Sequence, residues 1–475
     1  MRTGVIGAGI AGLASAYLLE EAGLDDACLD DEHEVVLFEK NDRLGGHAHT
    51  VDVEVEDRGT VRTLPIDGAF QHFSPAMYPR FAQFLEQLGV ETFLSPVSCS
   101  LTWRGPSPRG RRDLDVDLTP SARTLWRALR PSTLRMLLSL RRAIEAGEEV
   151  RAWSMTVDEY LRSLPMPARF VDDVMMPFLA ATLGTSAVEA RRMSARAALR
   201  YPVAHQPESP LRPFLFREIT GGSVSYVNAV AKALRRTTIR TGADVVALER
   251  LPAGGYTILE RGGRRTDVDR VVLASPAWAS APLVRSLGLE RLADLLGRVE
   301  SIATKMSIHR AHELMPPRDR LWASWNIEVR NGESEGTIWS GRHTDGPYRG
   351  GLDVFKSWVT IRGGPRRGEL RALDYRHPLM TPDYYAVQAG LREHEIASGP
   401  DAGSVDPAGP SAEGRGLYLA GSYREDIDSH ESGLGSAIAV AERLAPGSAR
   451  LQALADSVGR SSEQGSPTDS MEQAA

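Results

Sequence analysis

Short apolar runs and glycine punctuation divide the chain into strand- and helix-sized pieces. Gly4–Ile6 is a β-like run, broken by Gly7-Ala8-Gly9-Ile10-Ala11-Gly12, and an Ala/Leu-rich stretch to Glu21 then reads as a helix. A second apolar run, Glu34-Val35-Val36-Leu37-Phe38, reads as a strand ending at Glu39. Further strands are expected at Ala243–Leu248, Tyr256–Glu260, Arg270–Ala274, Ile302–Ile308 and Gly416–Ala420. Helical patterns follow Ile219-Thr220-Gly221-Gly222-Ser223, through Leu234, and run from His430 to Leu444. Strands alternating with helices point to an α/β fold with a parallel sheet.

The first unit carries chemistry. In a strand–turn–helix, Gly7 permits the tight turn, Gly9 lets backbone approach a pyrophosphate, and Gly12 lets the helix pack on the strand. The helix start at Ile10 and Ala11 offers free N–H groups and a partial positive charge to phosphate. Glu39, closing the second strand, is placed to accept hydrogen bonds from a ribose. It lies 39 − 12 = 27 residues after Gly12. An acidic insert around Asp25–Glu32, read as a surface loop, accounts for the extra length over the usual ~20 residues. The ordered set of strand, glycines, helix, second strand and acid predicts dinucleotide binding.

Composition narrows the class. The 475 residues hold 56 Lys+Arg against 62 Asp+Glu, a formal net charge of −6, which disfavours nucleic acid as a partner. Apolar residues at 42 % and charged residues at 25 % are globular values. Length argues for two or three domains. The two cysteines, Cys28 and Cys99, make no disulfide framework, no metal motif is present, and the cytoplasm is the expected compartment. Thr3–Leu19 is uncharged but too short and Gly-rich for a membrane span. Only four cations are lysines: Lys40, Lys232, Lys305 and Lys356. GC-rich coding explains the scarcity for most of them.

After Glu39 comes Lys40-Asn41-Asp42-Arg43-Leu44-Gly45-Gly46-His47. This resembles the FAD-binding start of the flavin-containing amine oxidase superfamily, which includes monoamine oxidases, polyamine oxidases, phytoene desaturases and protoporphyrinogen oxidases. Where most relatives have Arg after Gly-Gly, His47 resembles a bacterial branch of NAD/FAD-binding oxidoreductases; it replaces the arginine contact with pyrophosphate only in part. Asp67-Gly68-Ala69-Phe70 is similar to the family segment beside the isoalloxazine. The resemblance places Val245 at a backbone contact with adenine. It sets Gly421 and Ser422 where relatives carry Gly-Asp, and sets Ser432, Gly433 and Ser436 in the turn and helix start at the flavin edge. Covalent flavin through a C-terminal cysteine has no residue to carry it.

What the resemblance implies is a discontinuous Rossmann-like FAD-binding domain (1–75, 215–275 and 410–446) with an inserted α+β substrate domain (76–214 and 276–409). Residues 447–475 are polar, without aromatics, and read as a disordered tail. Ser121–Glu145 reads as a basic amphipathic helix broken at Pro131, suited to peripheral membrane contact or to a solvated face.

Two residues are catalytic candidates. Lys305, in the otherwise uncharged run Ile302–Ile308, matches the lysine that holds a water near flavin N5 in many amine oxidases. His72, after the Asp67-Gly68 segment, is a candidate acid or base, with a satisfied core histidine as the plainer reading. The implied activity is hydride transfer from a small or lipid-like substrate to flavin N5, at a C–N or C–C bond. A flavin-dependent double-bond isomerase, an NAD(P)-dependent dehydrogenase and a non-catalytic nucleotide-binding module are the alternatives.

Overall fold

The computed structural model describes residues 1–25, 34–57, 59–105, 113–118, 130–205, 214–342, 351–361, 363–365, 367–397, 416–446, 451, 452 and 454. Residues 26–32 of the acidic insert, Cys28 among them, residues 121–129 of the basic segment and most of the tail lie outside them.

A five-stranded parallel sheet runs in the order β19 (Leu417–Leu419), β13 (Arg270–Leu273), β1 (Arg2–Ile6), β2 (Glu34–Phe38), β9 (Thr238–Arg240). Its strands come from both ends and the middle of the chain. Each is a short, near-continuous apolar run, as a sheet covered on both faces requires. Val5, Leu37, Val272 and Leu273 are fully buried.

Helices Ile10–Asp25 and His430–Leu444 pack on this sheet and on each other. Leu13, Ala14 and Leu18 meet Leu434, Ala437, Ile438 and Ala441 in one apolar cluster. Each fully buried leucine contributes about 1.5–3 kcal/mol. Glu20, buried on the first helix, is not an isolated charge. Its carboxylate accepts the backbone N–H groups of Arg235 (2.6 Å), Arg236 (3.0 Å) and Thr237 (2.9 Å), tying this helix to the turn after the helix Val224–Ala233. A three-stranded antiparallel sheet, β10 (Val245–Arg250), β11 (Tyr256–Glu260), β12 (Arg265–Val268), covers the other side. The strand expected from Ala243 begins at Val245, because the Gly242 and Ala243 N–H groups are taken by Asn41 and Glu39 carbonyls.

A second, mixed sheet has seven strands in the order β18 (Glu369–Pro378), β14 (Ser301–His309), β17 (Phe355–Trp358), β16 (Glu333–Trp339), β15 (Trp325–Arg330), β6 (Cys99–Arg104), β7 (Asp113–Asp117). Helices between Pro131 and Ala204 pack on its β15–β6 side. Two antiparallel pairs, β3 (Thr50–Asp57) with β4 (Thr60–Asp67) and β5 (Thr92–Val97) with β8 (Phe214–Ile219), complete the strands of the described residues.

In the basic segment the described helix is Pro131–Ala146, with Pro131 at its first position, where a missing N–H costs nothing. It buries Met136, Leu140, Ala143 and Ile144 and leaves Leu134, Leu138, Arg135 and Arg142 exposed. Among the described residues no helix is long and apolar enough to cross a membrane.

Candidate active site and cofactor cradle

Three glycine loops far apart in sequence meet at the C-terminal edge of the parallel sheet. Gly7 sits at φ +103°, a conformation open to glycine, and donates to the Phe38 carbonyl at 2.8 Å. A Cβ on Gly12 would lie 1.8 Å from the Gly7 carbonyl oxygen, so the helix approaches the turn as only glycine allows. Gly45 N–H donates to the Ala8 carbonyl at 2.8 Å, and a Cβ on Gly46 would come 3.2 Å from Gly9 Cα. From the C-terminal helix, a Cβ on Gly433 would come 2.8 Å from Ile10 Cγ2.

Gly9 differs from its neighbours. A Cβ there would meet no protein atom within 4 Å. The chain's own packing therefore does not call for glycine at position 9, while a ligand lying against the helix start at Ile10 and Ala11 would. Glu39 is buried beside this gap. Its Oε2 accepts Ala8 N–H at 2.9 Å, and its Oε1 accepts Asn41 N–H at 3.0 Å and Asn41 Nδ2 at 2.5 Å, which leaves one acceptor position, on Oε2, for a ribose hydroxyl. An open position over a helix N-terminus, flanked by a carboxylate and by two further glycine loops, fits a flavin dinucleotide.

The C-terminal edge of the cradle is held by small residues. Gly421 N–H donates to Ser436 Oγ at 2.8 Å, and Ser436 Oγ donates to the Gly433 carbonyl at 2.7 Å. Ser429 caps the helix, accepting Ser432 N–H at 3.1 Å. Ser422 hydrogen-bonds the Asp428 carboxylate. Val245 lies two residues beyond Ala243, whose N–H donates to the Glu39 carbonyl at 2.8 Å.

Other residues depart from the expectation. Lys40 is exposed beside Glu39. The Arg43 guanidinium folds back to donate to the Gly46 carbonyl at 2.9 Å. The His47 imidazole stacks on His377, with centroids 4.4 Å apart and planes 10° from parallel. His49 follows the same direction, with Nδ1 3.0 Å from the Tyr375 hydroxyl. Burial lowers the pKa of His49 to about 4, with Arg43 adding to the effect.

Lys305 is a correction to the sequence reading. Strand β14 pairs Thr304 with Tyr375, Ile302 with His377 and Ile308 with Lys356. Because side chains alternate, Thr304, Lys356, Tyr375 and His377 share the face that meets the Gly45–Asp67 segment, and Lys305 belongs to the opposite face. Lys305 is partly exposed. The buried lysine is Lys356, 1 % exposed, with Nζ donating to the Asp67 carbonyl at 2.6 Å. Burial lowers its pKa to about 8, against the opposing pull of Asp67 and Glu218. The Asp67 carboxyl is pushed up by burial, despite hydrogen bonds from Ser223 N–H (2.9 Å), Ser223 Oγ (2.6 Å) and Thr50 Oγ1 (2.6 Å). These bonds also fix the start of the helix Val224–Ala233.

His72 gains a partner that sequence reading missed. Its Nε2 lies 3.2 Å from Oε1 of Glu218, a residue 146 positions away. Glu218 is 5 % exposed and accepts Ser95 Oγ at 2.6 Å and Gln71 Nε2 at 2.8 Å. A recess beside it is lined by Asp67, Gln71, Glu218, Phe93, Ile219 and Gly222, among others. Phe216, two residues before Glu218, carries the tilted rings of His72 and His205 and stacks parallel to Tyr201. The Phe70 ring, from the Asp67 segment, stacks on His430 with centroids 3.7 Å apart. The site thus has an imidazole beside a carboxylate at an aromatic wall, and a buried lysine behind the segment that leads to it. Among the described residues no group of three or more His, Cys, Asp and Glu side chains is arranged to hold a metal.

Comparison with known proteins agrees with this geometry. A model of the family described as flavin containing amine oxidoreductase matches residues 10–312, more than half of the chain. Coproporphyrinogen III oxidase of Mycobacterium bovis, and that of Mycobacterium tuberculosis, is 27 % identical over 303 residues, 59 % of this chain and 60 % of the relative. The chain therefore spans about 60 % of the length of these curated relatives. Among solved structures, a putative protoporphyrinogen oxidase from Exiguobacterium sp. 255-15 aligns with TM-score 0.58 at 16 % identity, covering 94 % of this chain and 98 % of that one. A fatty acid isomerase from P. acnes, described as producing CLA, aligns with TM-score 0.59 at 12 % identity, covering 93 % and 98 %. At such identities these two likenesses speak for the fold.

Proposed function

Because the chain belongs to the flavin-containing amine oxidoreductase family, we propose that it binds FAD and oxidises a C–N or C–C bond of a small or lipid-like substrate. The observation that carries the FAD reading is the meeting of the Gly7–Gly12, Gly45–Gly46 and Gly433 loops around the open position at Gly9. A nicotinamide dehydrogenase would use the first loop and leave the other two without a role.

The residues that would hold FAD are Gly9, Ile10 and Ala11 at the pyrophosphate, Glu39 at the adenosine ribose, and Gly45, Gly421, Gly433 and Ser436 around the remainder. A flavin held there would supply a two-electron acceptor for a hydride from a substrate C–H bond. The protein's part is to place that bond and remove the remaining proton. His72 would accept the proton at Nδ1, while Glu218, facing Nε2, orients the ring and stabilises the imidazolium that forms. Ser95 and Gln71 keep the Glu218 carboxylate in place. Phe216, Tyr201 and Phe93 exclude water from an apolar substrate chain.

The exposed Leu134 and Leu138, beside Arg130, Arg135 and Arg142, extend the reading to an anionic membrane surface as the source of a lipid-like substrate. Cosedimentation with phosphatidylglycerol vesicles that is lost in Leu134→Glu/Leu138→Glu supports that contact; equal cosedimentation of both proteins removes it.

Anaerobic reduction of the holoprotein by candidate amines and acyl substrates tests the reaction. Bleaching of the flavin by one of these classes supports the proposal and selects the bond. A protein that holds no flavin and binds NADH instead replaces it with the dehydrogenase reading.

A further inference from the structure

The recess beside Glu218 has a floor that the protein's own hydrogen bonds leave incomplete. It forms where the end of β4 at Asp67, the end of β8 at Glu218 and the turn after β16 at Ser340 meet. Phe93 and Gly221 in its lining are partly exposed, while Asp67, Gln71, Glu218 and Ser340 are buried. Two polar atoms of these residues, Gln71 Oε1 and Ser340 Oγ, have no hydrogen-bond partner among the described residues. Gln71 is 9 % exposed and Ser340 2 %, so neither atom is turned to bulk water.

The orientation of Gln71 is set by its neighbour. Its Nε2 donates to Glu218 Oε2 at 2.8 Å. A carboxylate only accepts, so turning the amide round would lose this bond and set two acceptors against each other. Oε1 therefore stays an acceptor directed away from that contact. Ser340 N–H donates to the Val354 carbonyl at 3.0 Å, which fixes the backbone that carries the hydroxyl. Asp67 and Glu218 add two carboxyl groups, and no lysine, arginine or histidine lines the recess among the described residues. The cavity has a volume of about 20 Å³. A water-sized molecule needs about 10–15 Å³ and two to four polar partners.

We propose that this recess is a binding site for a water-sized cation that donates hydrogen bonds, the ammonium ion. Its N–H groups suit the acceptors that line the space: Gln71 Oε1, Ser340 Oγ and the carboxylates of Glu218 and Asp67. A water molecule offers fewer donors and no charge. Two basic groups face these acids from other elements. His72 Nε2 lies 3.2 Å from Glu218 Oε1, and Lys356 Nζ donates to the Asp67 carbonyl at 2.6 Å. Neither side chain lines the recess, so the acceptors there are left for a ligand. Burial raises the Asp67 carboxyl, and a cation beside it favours the ionised form. Tetramethylammonium is too large for a water-sized cavity and donates nothing. The binding does not depend on which bond a flavin oxidises.

Thermal unfolding of the purified protein in ammonium chloride, against tetramethylammonium chloride at equal ionic strength, reads the binding without any substrate. Ammonium should raise Tm saturably, and potassium, which donates no hydrogen bond, should act more weakly. Ser340→Ala removes one partner and keeps the space. The ammonium dissociation constant should then rise about tenfold or more, as loss of one hydrogen bond to a charged group predicts. Ser340→Val fills the space and should abolish the effect. Equal Tm in ammonium and tetramethylammonium salts overturns the proposal and leaves water as the occupant. An ammonium effect that both Ser340 variants keep overturns it too, as does a potassium effect as large as that of ammonium. If Ser340→Val does not fold, Ser340→Ala decides, because it removes only a hydroxyl that the described residues leave unbonded. A thallium(I) soak of wild-type crystals is the second measurement. An anomalous peak between Gln71 and Ser340 supports a monocation site, and a recess without one overturns it.

Discussion

The Lys356 ammonium donates to the Asp67 carbonyl at 2.6 Å, from a strand 289 residues away in sequence. This bond joins the seven-stranded sheet to the segment that runs through Phe70 to His72. It brings a cation into the interior, and burial lowers its pKa from 10.5 to about 8. The unfolded chain then binds more protons than the native one between pH 8 and 10.5, so the charged lysine opposes folding below pH 8 and that penalty is relieved as pH rises through the window. The stability difference between wild type and Lys356→Met should therefore shift toward wild type between pH 8 and 10.5, by on the order of 3 kcal/mol. Urea unfolding of both proteins at the two ends of the window measures it. A difference independent of pH would mean that Lys356 keeps an ordinary pKa.

Lys305 gives the contrasting expectation. Strand alternation sets it on the face opposite Lys356, Tyr375 and His377. Lys305→Met should leave FAD content and the rate of flavin reoxidation by O₂ within about twofold, since surface changes away from a site cost little. A large loss of reoxidation would return Lys305 to the site.

The His72–Glu218 pair should matter for the chemical step more than for folding. Loss of a positioned general base costs roughly 10²–10⁴-fold in rate. Both His72→Gln and Glu218→Gln are expected to retain the flavin spectrum and to slow anaerobic reduction by a substrate, the histidine change more. Equal reduction rates in His72→Gln and wild type would assign His72 to the core.

His205, which shares the Phe216 ring with His72, provides an acid-stability test. Its Nε2 lies 2.7 Å from Ser74 Oγ, and burial lowers its pKa to about 4. Unfolded histidine takes up a proton near pH 6.5, so stability falls as pH drops from 6.5 toward 4. His205→Gln should reduce that slope by up to about 1.4 kcal/mol per pH unit, the contribution of one proton. An unchanged slope would mean that His205 does not stay neutral in the folded protein.

The cradle was legible in sequence because its residues act locally. Gly7, Gly9 and Gly12 fall within one turn, and β2, ending beside Glu39, has the bounds that its apolar run indicates. The pairings between segments were not legible. Nothing near His72 announces Glu218, whose place follows from the pairing of β5 with β8. Lys356 lies in Phe355-Lys356-Ser357-Trp358, no more apolar than the surroundings of Lys305, and only the register of β14 with β17 separates their faces. His47 reads as a loop residue until β18 brings His377 against it.

Two glycine substitutions separate fold from cofactor. Gly12→Ala would set a Cβ 1.8 Å from the Gly7 carbonyl oxygen, so it should destabilise the helix–strand contact and lower the melting temperature. Gly9→Ala meets no protein atom within 4 Å and should fold as wild type. Its methyl group enters the space assigned to the pyrophosphate. The most direct measurement is therefore the cofactor content of purified wild type and Gly9→Ala, released by heat and identified by chromatography and absorption. FAD bound to wild type and lost from a normally folded Gly9→Ala is the expected result. Wild type that holds no FAD after reconstitution, or Gly9→Ala that binds FAD as tightly as wild type does, contradicts it.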